Sequence, residues 1–221
     1  MSTETIEAPK VKKSEGLFSK RRKKFVVDPL NDDNPITIQI LGICSALAVT
    51  AQLEPTMVMA IAVVVVITFS NLLISALRNL IPNRIRIIVM LAVISTLVAL
   101  VDQVLKAYLY DVSKVVGVYV GLIITNCIVM GRLEAFAMGN KPYDSFLDGL
   151  GNGFGYAWVI LAVAFFRELL GSGALFGYKV FEAIGIENFP NNGLMVTPIG
   201  AFMILGLIIW VQRAKTGYVE H

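Results

Sequence analysis

The stretches LGICSALAVT (41–50) and LIITNCIVMG (122–131) contain the only two cysteines of the chain, Cys44 and Cys127. Each stretch lies in a hydrophobic segment that is short for a bilayer, which a helix needs about 20 apolar residues to cross. Matched short segments in the two halves of a membrane protein indicate a site near the midplane. Thiolate ligands at such a site favour an iron–sulfur cluster, zinc or cuprous copper over hard cations.

The composition is that of an integral membrane protein. Of 221 residues, 56% are hydrophobic and 16% are charged, and the mean hydropathy is +0.72, whereas a soluble domain carries about 25% charged residues. The net charge of +3 comes from one end, because residues 1–24 hold eight of the 19 Lys and Arg residues. Aromatic residues are not interleaved with these charges as a base-stacking surface requires. Residues 1–33 are therefore predicted to be a flexible basic cytoplasmic tail that touches anionic lipid and binds no nucleic acid.

Hydropathy predicts an all-α integral membrane fold with six transmembrane helices between residues 34 and 215, followed by a short tail, 216–221. The first and fourth spans carry the cysteines and are expected to be broken or half helices, because glycine and polar residues flank both thiols. The predicted spans are Ile36–Leu53, Met57–Leu77, Ile85–Leu105, Val115–Met130, Leu150–Phe166 and Met195–Val211.

The distribution of positive charge predicts that both termini face the cytoplasm. With the amino terminus inside, 15 basic residues lie on the cytoplasmic side, and only Lys106, Lys114, Arg167 and Lys179 lie outside. Three spans per half then place two repeats, about 34–110 and 111–215, in inverted orientation.

The sequence itself supports the repeat only weakly. A Leu-Glu pair follows each cysteine segment, and the two pairs are 80 positions apart, whereas the cysteines are 83 apart. Chance similarity between two apolar segments therefore remains an alternative. The geometry is more informative, since Cys44 and Cys127 lie about 12 and 18 Å into spans that enter from opposite faces. Both thiols are expected near the centre of the bilayer.

The residues exclude several cofactor sites. The single histidine, His221, rules out histidine-rich zinc and bis-histidine haem sites, and no CxxC motif occurs. The alternating glycines of 149–155 form neither a dinucleotide-binding motif nor a P-loop, and they indicate close helix packing or a bend. The two cysteines are either small apolar packing residues or ligands. A [2Fe–2S] centre needs four protein ligands, so a second protein would have to supply the other two.

Three membrane carboxylates, Asp102, Glu54 and Glu134, are candidates for an ion pathway, because ionisable groups at such depths are costly and often functional. The alternatives are interfacial ion pairs or side chains that snorkel to the membrane surface. Arg132 is near Glu134 in sequence, and Lys106 stands four positions after Asp102 on the same predicted helix. Glu168 follows the fifth span, and the adjacent Arg167 offers it the same ion-pair alternative.

Four stretches resemble the D subunits of the bacterial sodium-translocating NADH:quinone oxidoreductases. They are DNPITIQILGICSALAVT (33–50), RIIVMLAVISTLVALVDQVLKAYLYDVSK (86–114), GLIITNCIVMGRLEAFAM (121–138) and the pair DGLGNGFGY (148–156) and FFRELLGSGALFG (165–177). The related Rnf complexes contain an equivalent subunit, but VDQVLKAYLYD and GNGFGY are more similar to the quinone reductase.

The resemblance implies a specific role. It implies six helices in inverted repeats, a homologous partner of opposite topology (the E subunit), and a six-subunit complex in the bacterial inner membrane. It also implies that Cys44 and Cys127 bind the iron of a [2Fe–2S] cluster shared with that partner, with no flavin, NAD or quinone bound by this chain. The chain would carry electrons between NADH-derived flavin and iron–sulfur centres and quinone, and would not be catalytic alone. The alternatives are the Rnf ferredoxin:NAD counterpart and a carrier without a redox centre.

Overall fold

The computed structural model describes residues 26–30, 34–82, 84–108, 117, 119–171, 173–175, 178–179 and 193–216. The predicted tails, 1–33 and 216–221, lie almost entirely outside these residues. Within them the fold is helical, apart from one antiparallel pair of two-residue strands, β1 (Ala174–Leu175) and β2 (Tyr178–Lys179). The helices are α1 (Ile43–Val49), α2 (Leu53–Leu77), α3 (Arg86–Tyr108), α4 (Cys127–Arg132), α5 (Pro142–Gly171), α6 (Gly193–Val196) and α7 (Pro198–Thr216).

Four helical segments of the described chain are long and apolar enough to cross a membrane. They are α2, α3, the segment Tyr119–Ala137 and α5, and a shorter apolar helix covers Pro198–Ala214. The chain is therefore a multi-pass helical membrane protein, as predicted. The six-span inverted repeat stays a prediction.

The span boundaries differ from the predicted ones where polar and small residues dilute the hydropathy. The fifth span was predicted over Leu150–Phe166, but α5 runs over 30 residues from Pro142 to Gly171. The first was predicted over Ile36–Leu53, but its α-helical part is the seven-residue α1. The residues before α1 form hydrogen-bonded turns, in which Leu41 donates its backbone N–H to Pro35 O over 2.8 Å.

The core is the antiparallel pair α2 and α5. The glycines of 149–155 allow this contact, because a Cβ at Gly149 would lie 2.9 Å from Thr68 Cα and one at Gly153 would lie 3.2 Å from Val64 Cα. The packing interpretation of this glycine run is therefore confirmed. Gly155 does the same for the 3₁₀ turn Asp28–Leu30, whose Pro29 carbonyl lies against it.

The fourth span is interrupted beside the second cysteine. Residues 119–124 are helical, the helix breaks at Thr125 and Asn126, and α4 then begins at Cys127. A π-helical turn, Leu133–Ala137, continues from α4. Both cysteines thus lie on short helices, each next to a break in helical structure.

Candidate functional site

Cys44 is the second residue of α1 and Cys127 is the first residue of α4, and the two helices start in different ways. Gly42, two residues before Cys44, caps α1 and adopts the left-handed conformation with φ of 82°. Cys127 follows Asn126, whose side-chain oxygen accepts a hydrogen bond from the Ile128 N–H over 3.3 Å and caps α4. Asparagine is among the preferred amino-terminal caps, because its oxygen satisfies an amide that has no partner within the helix.

The residues next to the two cysteines are hydrogen-bonded to each other. Asn126 Nδ2 donates to Ser45 Oγ over 3.1 Å, and Ser45 Oγ is 2.7 Å from the hydroxyl of Tyr156 on α5. Ser45, Asn126 and Tyr156 are all at most 2% exposed. Because Ser45 adjoins Cys44 and Asn126 adjoins Cys127, this buried link brings both cysteines to the level of Tyr156.

The far ends of α1 and α4 are attached to opposite ends of α5. The guanidinium of Arg132, the last residue of α4, donates from Nε to Asp148 Oδ2 over 3.1 Å. The guanidinium of Arg167 donates to Thr50 Oγ1, just after α1, over 2.7 Å. Tyr156 lies between these two positions, about 12 Å from Asp148 and about 16 Å from Arg167 along the helix axis. The two short helices therefore begin near the middle of α5 and run in opposite directions.

Both thiols are free and exposed on the surface of the chain. An exposed position is not what a packing role within the chain requires, since cysteines that act as small apolar residues are among the most buried. Two exposed thiols whose neighbouring side chains, Ser45 and Asn126, are hydrogen-bonded to each other fit the part of a [2Fe–2S] site that one chain would supply. No group of three or more His, Cys, Asp and Glu side chains that could hold a metal occurs in the described part of the chain.

The three candidate carboxylates lie on three different elements: Asp102 on α3, Glu54 in the first turn of α2 and Glu134 on the π-helical turn after α4. Asp102 accepts from Lys106 Nζ over 2.6 Å, so the ordinary i,i+4 pair is present. Glu134 forms an ion pair with Arg86, whereas Arg132 pairs with Asp148, so the ion-pair alternative holds for Glu134 with a different partner. Glu54 is exposed in the first turn of α2. An ion-pathway role for the three stays a prediction.

The sequence analysis missed three polar residues that organise the site: Asp148, Tyr156 and Arg167. All three are at most 2% exposed and lie on α5. The Asp148 carboxylate accepts hydrogen bonds from Arg132 and, over 3.1 Å, from the side-chain amide of Asn152. Asp148 and Arg167 lie just outside the predicted fifth span, Leu150–Phe166, so the sequence did not mark them as charges inside the membrane, which would need a partner. Tyr156 gave no signal that distinguishes it from an ordinary core aromatic.

The fold and the site together define a multi-pass helical membrane protein in which two interrupted segments present paired, outward-facing cysteines. The chain belongs to the Rnf-Nqr family of membrane subunits: the family model described as "Rnf-Nqr subunit, membrane protein" matches residues 22–209.

Close relatives share one name. A protein of Pasteurella multocida is 55% identical over 204 residues, covering 91% of this chain and 98% of the relative. One from Haemophilus influenzae is 58% identical over 192 residues, covering 86% and 92%, and one from Haemophilus ducreyi is 57% identical, covering 86% and 93%. All three are named as the D subunit of Na(+)-translocating NADH-quinone reductase.

Proposed function

We propose that this chain is the D subunit of a sodium-translocating NADH:quinone reductase of the bacterial inner membrane. The observation that carries the proposal is the similarity of 55–58% identity over most of both chains to proteins of that name. The Rnf counterpart is less favoured, since these relatives bear the quinone reductase name. Homologues so named are subunits of a translocase complex, so the chain acts together with other subunits.

Within that complex, Cys44 and Cys127 supply two thiolates to a [2Fe–2S] cluster, and the homologous E subunit, of opposite topology, supplies two more. When bound, such a cluster supplies one-electron transfer within the membrane, between NADH-derived flavin and iron–sulfur centres and quinone. The support from this chain is the exposure of both thiols and the buried Ser45–Asn126 hydrogen bond of 3.1 Å that joins their neighbours.

The chain's own residues have three tasks in this function. The Ser45, Asn126 and Tyr156 side chains hold the starts of α1 and α4 together. The opposite directions of α1 and α4 are consistent with thiols near mid-membrane and with the carboxyl ends of the two helices toward opposite surfaces. The apolar helices around them exclude water. None of these tasks requires the chain to bind flavin, NAD or quinone.

Serine substitution tests the proposal, because serine keeps the size of cysteine and removes the thiolate. Cys44→Ser and Cys127→Ser should each abolish NADH-to-quinone turnover of the purified complex while leaving its subunit composition intact. Ala48→Ser is the matched control, since Ala48 is exposed one turn further along α1. Normal turnover in both cysteine variants would favour a carrier or scaffold without a redox centre.

A further inference from the structure

Arg167 is a charged residue buried inside the membrane-spanning helix α5. It is 2% exposed, and an isolated cation in such surroundings is costly. A guanidinium has five N–H donors, and the structure gives five bonds from it. Nε donates to Met195 O, Nη1 donates to Leu47 O and Thr50 Oγ1, and Nη2 donates to Val196 O and Thr197 O, over 2.6–3.4 Å. Every N–H donor of the Arg167 guanidinium is therefore matched by an acceptor.

The acceptors belong to the carboxyl ends of two short helices. Leu47 and Thr50 lie at the end of α1, and Val196 ends α6. The last carbonyls of a helix have no partner within it, and a cation there is favoured by the helix dipole. Thr50 extends the contact into α1, because its hydroxyl donates to Ala46 O over 2.6 Å.

The next residue, Glu168, holds the start of α2. Its Oε2 accepts a 2.6 Å hydrogen bond from the backbone N–H of Leu53, the first residue of α2, whose amino-terminal cap Gln52 makes no side-chain capping bond. Two consecutive side chains of α5 therefore fix the end of α1, the start of α2 and the end of α6.

We propose that Arg167 is a positioning residue for Cys44. A helix of seven residues is too short to be stable by itself, so α1 depends on its attachments. Ser45 holds its start against Tyr156, and Arg167 holds its end; together they fix the direction in which Cys44 is presented. The same guanidinium connects α1 to the 195–197 backbone, so displacement of that backbone is transmitted to Cys44. The functional meaning of this positioning rests on the proposed function, but the geometry does not.

The test compares Arg167→Met, Arg167→Lys and the control Arg78→Met in the purified complex. Arg78 also donates to a carbonyl, Asn140 O, over 2.6 Å, but it does not touch α1. Peptide-resolved hydrogen exchange and mass-spectrometric alkylation of each cysteine are measured together. Arg167→Met should speed exchange of residues 43–52 and 193–197 about tenfold or more and speed alkylation of Cys44, leaving Cys127 unchanged.

Arg167→Lys should give an intermediate result, because lysine keeps the charge but has three donors for five acceptors. Thr50→Val, which removes one acceptor, provides a milder variant if Arg167→Met does not assemble. Unchanged exchange at 43–52 in these variants, or equal effects from Arg78→Met, would overturn the inference. The hydrogen-exchange readout at 43–52 and 193–197 does not depend on iron, so failure of the cluster proposal and failure of the positioning role are distinguishable.

Discussion

Gly42 is the residue that turns the chain into the cysteine helix α1. Its φ of 82° is a left-handed conformation, and a Cβ there would lie 3.0 Å from the Tyr156 ring and 3.3 Å from Asn126 Oδ1. Ile40, two residues earlier, is also left-handed, with φ of 57°, which is rare for a β-branched residue. The turn before Cys44 is thus sharply defined by backbone conformation.

We expect Gly42→Ala to destabilise the protein by about 1–3 kcal/mol, because the methyl group adds overpacking to a backbone that disfavours it. The thermal unfolding of the purified complex measures the effect. Gly121→Ala is the control, since a Cβ at Gly121 meets nothing within 4 Å. Equal stability of the two variants would contradict the tight packing of Gly42 against Tyr156.

At the scale of elements, α5 is the helix to which both cysteine segments are attached. Asp148 binds Arg132 at the end of α4. Tyr156 is hydrogen-bonded to Ser45 of α1, which in turn accepts from Asn126 before α4. Arg167 binds Thr50 just after α1. The glycines of α5 at the same time let α2 approach closely. The helix therefore combines the packing of the core with the placement of the site.

The Arg132–Asp148 pair should be essential to the attachment of α4. We expect Asp148→Asn to cost about 3–5 kcal/mol, because it leaves the Arg132 cation without its partner in a buried site; the two side chains are 14% and 2% exposed. Asp102→Asn breaks a more exposed pair, which is worth about 0–1 kcal/mol. Urea or thermal unfolding of the two variants distinguishes them, and similar losses would contradict this account.

The Asp102→Asn variant also separates the two interpretations of Asp102, an ion pair with Lys106 or a part of the ion pathway. If Asp102 only pairs with Lys106, the sodium concentration that gives half-maximal turnover should stay unchanged in Asp102→Asn. A shift in that concentration, without loss of stability, would instead favour the predicted ion-pathway role.

The sequence predicted the elements that depend on apolar character and missed those that depend on tertiary contacts. The second and third spans were placed within a few residues, since α2 and α3 are continuous apolar helices. The start of α5 at Pro142 was missed because its first turns are polar and rich in glycine, and they become buried only against α2. Cys44 and Cys127 were selected by residue type, but their link through Ser45 and Asn126 joins residues 81 positions apart.

At the scale of the whole molecule, the anchors on α5 place two exposed loops at opposite ends of the core. Gln52 lies beside Leu53, which is bound by Glu168, and Lys141 precedes α5 at the other end. Both side chains are exposed. The positive-inside pattern predicts that the Lys141 end faces the cytoplasm.

This assignment gives a topology test in a chain that carries Cys44→Ser and Cys127→Ser. A membrane-impermeant maleimide added outside intact cells, with the outer membrane permeabilised, should label Gln52→Cys and spare Lys141→Cys until the inner membrane is opened. Labelling of both from one side would contradict the placement of α5 across the membrane, and the reverse pattern would contradict the predicted orientation.

The central claim is that the two cysteines of this chain are ligands of one intersubunit cluster, and the iron content of the complex tests it most directly. Iron and acid-labile sulfide are measured in the purified complex of the wild type, Cys44→Ser and Cys127→Ser. We predict that each variant loses about two irons and two sulfides per complex, the content of one [2Fe–2S] centre. Unchanged iron and sulfide in either variant, in a fully assembled complex, would contradict the claim.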